Sequence, residues 1–137
     1  MKIISVDLGT ARTGLAICDE GERLASPLTV LSVPGNRLVS EIARLVAQNE
    51  ASLLVVGLPL NMDGSKGESA HNAGEFAKKL QAHVGVPVKL WDERLTTVSA
   101  HRALNVTDTR GKNRRAVVDS VAAVIILEDY LRYRKNS

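Results

Sequence analysis

The four consecutive apolar residues Leu53 to Val56 constrain the fold more than any other stretch of this chain. A strand on a half-exposed sheet alternates apolar and polar residues, whereas one that is apolar at every position is buried on both faces. Such strands belong to parallel sheets covered by helices on either side. A parallel neighbour needs a crossover, and the preceding residues supply one, because Leu38, Ile42, Leu45 and Val46 recur at helical spacing after Pro34-Gly35-Asn36. Gly57-Leu58-Pro59 stops the strand and opens a polar loop from Asn61 to Ser69. The unit then repeats: Ala73, Phe76, Ala77 and Leu80 mark a second helix ending at Gly85, and Val86 to Trp91 reads as the next strand.

The N-terminal third follows a different pattern. Strands Lys2 to Asp7, Gly14 to Cys18 and Leu24 to Leu31 are joined by the turns Leu8 to Thr13 and Asp19 to Glu22, connections short enough for an antiparallel meander. Towards the C-terminus, Thr96 or Thr97 caps a short helix through Leu104, a basic loop follows, and a long apolar helix runs from about Ala116 to Tyr130. The order βββαβαβαα predicts an α/β protein: a mixed five-strand sheet with an antiparallel β1-β2-β3 meander at one edge and helices on both faces. At 137 residues the chain is expected to form a single domain, 1–137, around one core. Aromatic residues make up only 3%, so Val, Leu, Ile and Ala must build that core, and binding by rows of stacked aromatics is not expected.

Three acids stand where such a fold does not favour them. Asp7 ends the first apolar strand, Glu93 closes the last, and Asp119 interrupts the nearly uncharged run Ala116 to Leu127. An ionised carboxylate in an apolar setting costs on the order of a whole domain's stability unless a cation or donor compensates it. Divalent metal ions do this, and metal held by carboxylates points to phosphate chemistry. Asp7 and Glu93 fall at or just beyond C-terminal strand ends, the usual ligand crevice of parallel sheets, and the last helix can carry Asp119 over the same edge. Asp92 competes with Glu93, because strand alternation puts the two on opposite faces without saying which face matters.

The net charge of +3 is mild, but its distribution is not. Arg110, Lys112, Arg114 and Arg115 crowd one loop and Arg132, Arg134 and Lys135 the C-terminus, bracketing the helix of Asp119 as a phosphate backbone would require. His71, His83 and His101 have no metal-ligand spacing, and the single Cys18 reads as a small buried hydrophobe. That cysteine usage fits a reducing compartment. With no export signal or run of about twenty apolar residues, the expectation is a cytoplasmic protein without a membrane partner.

Asp7-Leu8-Gly9-Thr10 with Gly14-Leu15-Ala16, Val56 through Gly64, Asp92-Glu93-Arg94-Leu95-Thr96-Thr97, and Val118-Asp119-Ser120-Val121-Ala122-Ala123 with Ile125-Ile126-Leu127 together resemble the YqgF family. These are ribonuclease-H-like proteins related to Holliday junction resolvases and regarded as nucleases maturing the 5′ end of pre-16S ribosomal RNA. The resemblance spans essentially the whole chain. It implies a ribonuclease-H-like fold, Asp7, Glu93 and Asp119 as catalytic acids binding Mg²⁺ or Mn²⁺, and a site lined by Gly9, Thr10 and the Gly57 to Gly64 loop with Asn61 and Asp63. Related resolvases carry an acid at the end of the fourth strand and another one turn after the helix aspartate; here those positions read Gly57 and Ala122.

The substrate expected of such a site is nucleic acid, either precursor ribosomal RNA or branched DNA. Arg94 is placed to clamp a phosphate, and Arg110, Lys112, Arg114 and Arg115 to position the backbone. Two other readings stay open: a Holliday junction resolvase, and a non-catalytic RNA-binding factor of ribosome biogenesis. Asp-Leu-Gly-Thr also resembles the first phosphate loop of actin-like ATPases, but those enclose nucleotide between two domains. Junction resolution needs paired incisions and hence a symmetric dimer, so both a monomer and a homodimer are compatible with the sequence.

Overall fold

The structure is a computed structural model that describes residues 1–9, 11–59, 63–93 and 112–136, the side chains of 112–120 excepted. Its elements are β1 (Ile3–Leu8), β2 (Thr13–Cys18), β3 (Ala25–Leu31), α1 (Gly35–Gln48), β4 (Leu53–Leu58), α2 (Glu68–His83), β5 (Val88–Asp92) and α3 (Lys112–Lys135). The strands form one mixed sheet in the order β3-β2-β1-β4-β5, antiparallel from β3 to β1 and parallel from β1 to β5. This is the expected α/β architecture, with the meander at one edge.

Strand alternation divides the core into two layers. Ile4, Val6, Leu15, Leu54 and Val56 meet Leu38, Val39 and Ile42 of α1 and Phe76, Ala77 and Leu80 of α2 on one face. Ile3, Ala16, Leu53 and Val55 meet Ala122, Ala123, Ile126 and Leu127 of α3 on the other. β4 supplies buried side chains to both layers, which is why its sequence is apolar at every position. Cys18 is buried in the α3 layer, and burial pushes its thiol pKa up.

Several boundaries differ from the sequence expectation. β4 continues through Gly57 and Leu58, because both pair with β5, Gly57 opposite Trp91 and Leu58 opposite Asp92. α2 begins at Glu68 rather than after Ser69, since its first turn is polar and leaves no apolar signature. α3 begins at Lys112, so Lys112, Arg114 and Arg115 stand on its first turns and not in a loop. The short helix expected from Thr96 or Thr97 to Leu104 lies outside the described residues. No helix among the described residues is long and apolar enough to cross a membrane.

Candidate active site

β1, β4 and β5 run parallel and side by side, so their C-terminal ends form one edge of the sheet. Asp7 lies near the end of β1, opposite Gly14 of β2, and is 3% exposed. Strand alternation sets it on the face of Ile3, which packs in the α3 layer, and of Ser5, whose hydroxyl donates to the Ala123 carbonyl of α3 over 2.6 Å. Its neighbour Leu8 packs into the opposite layer. Asp7 therefore points beneath α3.

Glu93 follows β5 directly and is also 3% exposed. It continues the face of Trp91, which packs in the α3 layer, whereas Asp92 continues the face of Val88 in the α1/α2 layer. A Cβ placed on Gly57 would lie 2.9 Å from Glu93 Oε2 and 2.8 Å from Ile126 Cδ1. The Glu93 carboxylate thus lies over the end of β4 against α3, on the same face as Asp7. This arrangement separates the two candidate acids of β5: Glu93 shares the face of Asp7, and Asp92 does not.

Asp119 is in α3, one turn before Ala123. Helical periodicity places position 119 on the stripe of Ala123 and Ile126, the residues that meet Ser5 and the Gly57 position. Its side chain is not among those described. Among the described residues, no three His, Cys, Asp or Glu side chains gather as metal ligands. Ala122, where related resolvases carry a further acid, is fully buried in the α3 layer.

The loop residues divide in the same way. Gly9 opens the β1–β2 turn, and a Cβ there would collide with the carbonyl oxygen of Arg12, so the tight turn next to Asp7 requires glycine. Asp63 is exposed, and its Oδ1 accepts from the Ser65 N–H at 2.9 Å and the Ser65 hydroxyl at 2.6 Å, an Asx turn that shapes the loop after β4. Thr10, Asn61, Arg94 and Arg110 lie outside the described residues, and Lys112, Arg114 and Arg115 are placed by backbone only. His71 and His83 are exposed. Sequence reasoning missed Ser5, although a lone hydroxyl within the apolar run of β1 was a signal that it meets a polar partner in the core.

Sheet order, the crossing helix and the strand-end acids define the class: a ribonuclease-H-like fold of the resolvase type. The solved RuvC of Thermus thermophilus is similar in fold, with a TM-score of 0.60 at 16% identity over 99% of this chain and 97% of that one. The fowlpox virus Holliday junction resolvase gives 0.52 at 14% identity over 100% of both chains. The chain belongs to the RuvX Holliday junction resolvase family, whose model matches residues 1–133. Its relatives include proteins named "Putative pre-16S rRNA nuclease" in Anaeromyxobacter dehalogenans, 42% identical over 98% of this chain and 98% of the relative, and in Lachnospira eligens, 38% identical over 99% and 100%.

Proposed function

We propose that this chain is a metal-dependent nuclease that hydrolyses phosphodiester bonds during 5′-end processing of pre-16S ribosomal RNA in the cytoplasm, with Asp7, Glu93 and Asp119 as its catalytic acids. The observation that carries this reading is the Glu93 carboxylate, buried over Gly57 on the sheet face that Asp7 shares. The fourth-strand acid of related resolvases is missing, and a carboxylate from the next strand fills its place. Membership in a resolvase family makes phosphodiester cleavage the reaction, and the names of the relatives point to ribosomal RNA.

The donor set fits a hard divalent cation. Two buried carboxylates at strand ends offer oxygen ligands, while the thiol of Cys18 is buried among the residues of the α3 layer, and the described histidines are exposed. Asp7, Glu93 and Asp119 would hold Mg²⁺ or Mn²⁺, which when bound lowers the pKa of water and neutralises charge on the phosphoryl oxygens. The carboxylates then keep the attacking water and the phosphate in line, and the cover of α3 limits bulk water. Arg94, Arg110, Lys112, Arg114 and Arg115 hold the backbone, so selectivity comes from nucleic-acid shape and single-stranded ends.

Purified protein with Mg²⁺ or Mn²⁺ should cleave precursor ribosomal RNA, and Asp7→Asn and Asp119→Asn should each abolish cleavage while leaving the far-UV spectrum unchanged. Activity undiminished in both variants would falsify the reading. A second reading, junction resolution, draws on the Thermus thermophilus RuvC solved in complex with a Holliday junction substrate, at a TM-score of 0.60. Four-way DNA junctions in the same assay decide between the two, with paired incisions by a dimer favouring resolution.

A further inference from the structure

The chain has one Trp, two Tyr and one Phe, yet three of these four side chains gather at one place. The Trp91 ring centroid is 5.5 Å from that of Tyr130, in a T-shaped arrangement, and 5.4 Å from that of Tyr133, tilted. Tyr130 and Tyr133 are 6.2 Å apart on successive turns of α3. Tyr130 is buried and backs the group, whereas Tyr133 is 57% exposed. A single exposed aromatic is ordinary, but here the exposed ring is held by two others.

Position gives the cluster its meaning. Trp91 precedes Glu93 by two residues on the same face of the sheet, and from it the cluster extends along α3 through Tyr130 to Tyr133, away from position 119. The indole Nε1 is buried and meets no hydrogen-bond acceptor among the described residues. Lys89, two residues earlier on β5, is exposed and by alternation lies on the same side. A cation beside a fixed aromatic surface is the pairing that takes one nucleotide's phosphate and the next one's base.

We infer that Trp91, Tyr130 and Tyr133 form a stacking platform that receives an unpaired base of single-stranded RNA on the sheet face that carries the strand-end acids, with Lys89 contacting its phosphate. This rests on the reading of the chain as a nuclease acting on RNA. Double-stranded RNA keeps its bases stacked and hides their faces, so the platform discriminates for single-stranded ends. Sparse aromatic content excluded rows of stacking residues, but one base needs only one ring face.

Trp91 is the sole tryptophan, so its fluorescence reports directly on the platform. In EDTA, where cleavage is suppressed, titration with a short single-stranded RNA should quench Trp91 emission, and duplex RNA of the same sequence should not. Tyr133→Ala should weaken single-strand binding about tenfold, while Tyr133→Phe, which keeps the ring, should stay within about twofold. Lys89→Gln should reduce the salt dependence of binding by about 0.7 in log–log slope. Unchanged affinity in Tyr133→Ala, or emission unaltered at saturation, overturns the inference. Asp7→Asn separates this from the catalytic reading, because it should bind the single strand like the wild type while losing cleavage.

Discussion

Glu93 Oε2 occupies the space into which a side chain on Gly57 would project: a Cβ there would lie 2.9 Å from that oxygen. The two residues are on neighbouring parallel strands, and the smallness of one lets the other reach inward. Real Cβ atoms do not approach other atoms so closely, so Gly57→Ala must push the Glu93 carboxylate, the Ile126 methyl, or both. Both contacts are the far ends of side chains that can move aside, so the expected cost in chemical denaturation is about 1 kcal/mol, the low end for overpacking. Cleavage should fall further than folding does, because about 1 Å of misplacement in a reacting constellation can cost about a hundredfold in rate. A Gly57→Ala protein with full activity would show that Glu93 does not need that position.

Asp7 and Glu93 are buried acids at the ends of β1 and β5, the two strands that flank β4, and a cation held by both would link metal binding to stability. Ligand present at about a hundred times its dissociation constant stabilises the folded state by about 2.7 kcal/mol. Differential scanning calorimetry should therefore show the wild type melting several degrees higher in saturating Mg²⁺ than in EDTA, with Asp7→Asn and Glu93→Gln losing most of that increment. A wild-type melting temperature indifferent to Mg²⁺ and Mn²⁺ would count against the metal site.

Legibility in the sequence followed the packing. The apolar run of β4 and the stripe of α1 were readable because both carry their burial in consecutive or periodic residues. The first turns of α3 were not, since Lys112, Arg114 and Arg115 precede the segment that packs on the sheet and show no apolar period; they looked like a loop. Gly57-Leu58-Pro59 looked like a strand end because the β5 ladder that continues through Gly57 and Leu58 is a long-range pairing. For the same reason the choice between Asp92 and Glu93 could not be made from alternation alone. The contacts of Trp91 and the space over Gly57 show only which face of β5 meets α3, and that Glu93 rather than Asp92 is on it.

At the opposite end of α3, Arg134 donates to both Glu22 oxygens, at 2.9 and 3.3 Å, tying the helix to the β2–β3 turn. The Arg134 guanidinium, and after it the Met1 ammonium, hold the Glu22 carboxyl below its ordinary pKa. A depressed carboxyl pKa contributes stability that is present above the unfolded value of about 4.3 and is lost as pH falls through the folded value. The pair is partly exposed, so its contribution is under about 1 kcal/mol. Glu22→Gln should thus be slightly less stable than the wild type at neutral pH, and the difference should close on acidification below about pH 4. A stability difference that stays constant from neutral to strongly acid pH contradicts the assignment.

Ser5 ties β1 to α3 within the apolar layer that holds the helix on the sheet. Its hydroxyl donates to the Ala123 carbonyl over 2.6 Å, two residues before Asp7 on β1 and one turn after Asp119 on α3. The bond therefore joins the elements that carry two of the three acids. The Ala123 carbonyl can also accept its helical hydrogen bond, so Ser5→Ala leaves no orphaned acceptor, and the stability loss should be only about 1 kcal/mol. The larger effect should fall on the metal: with one tie between β1 and α3 lost, the Mg²⁺ concentration giving half-maximal cleavage should rise several-fold, while the rate at saturating Mg²⁺ recovers towards that of the wild type. A stability loss without any change in the Mg²⁺ titration would make Ser5 a packing residue alone.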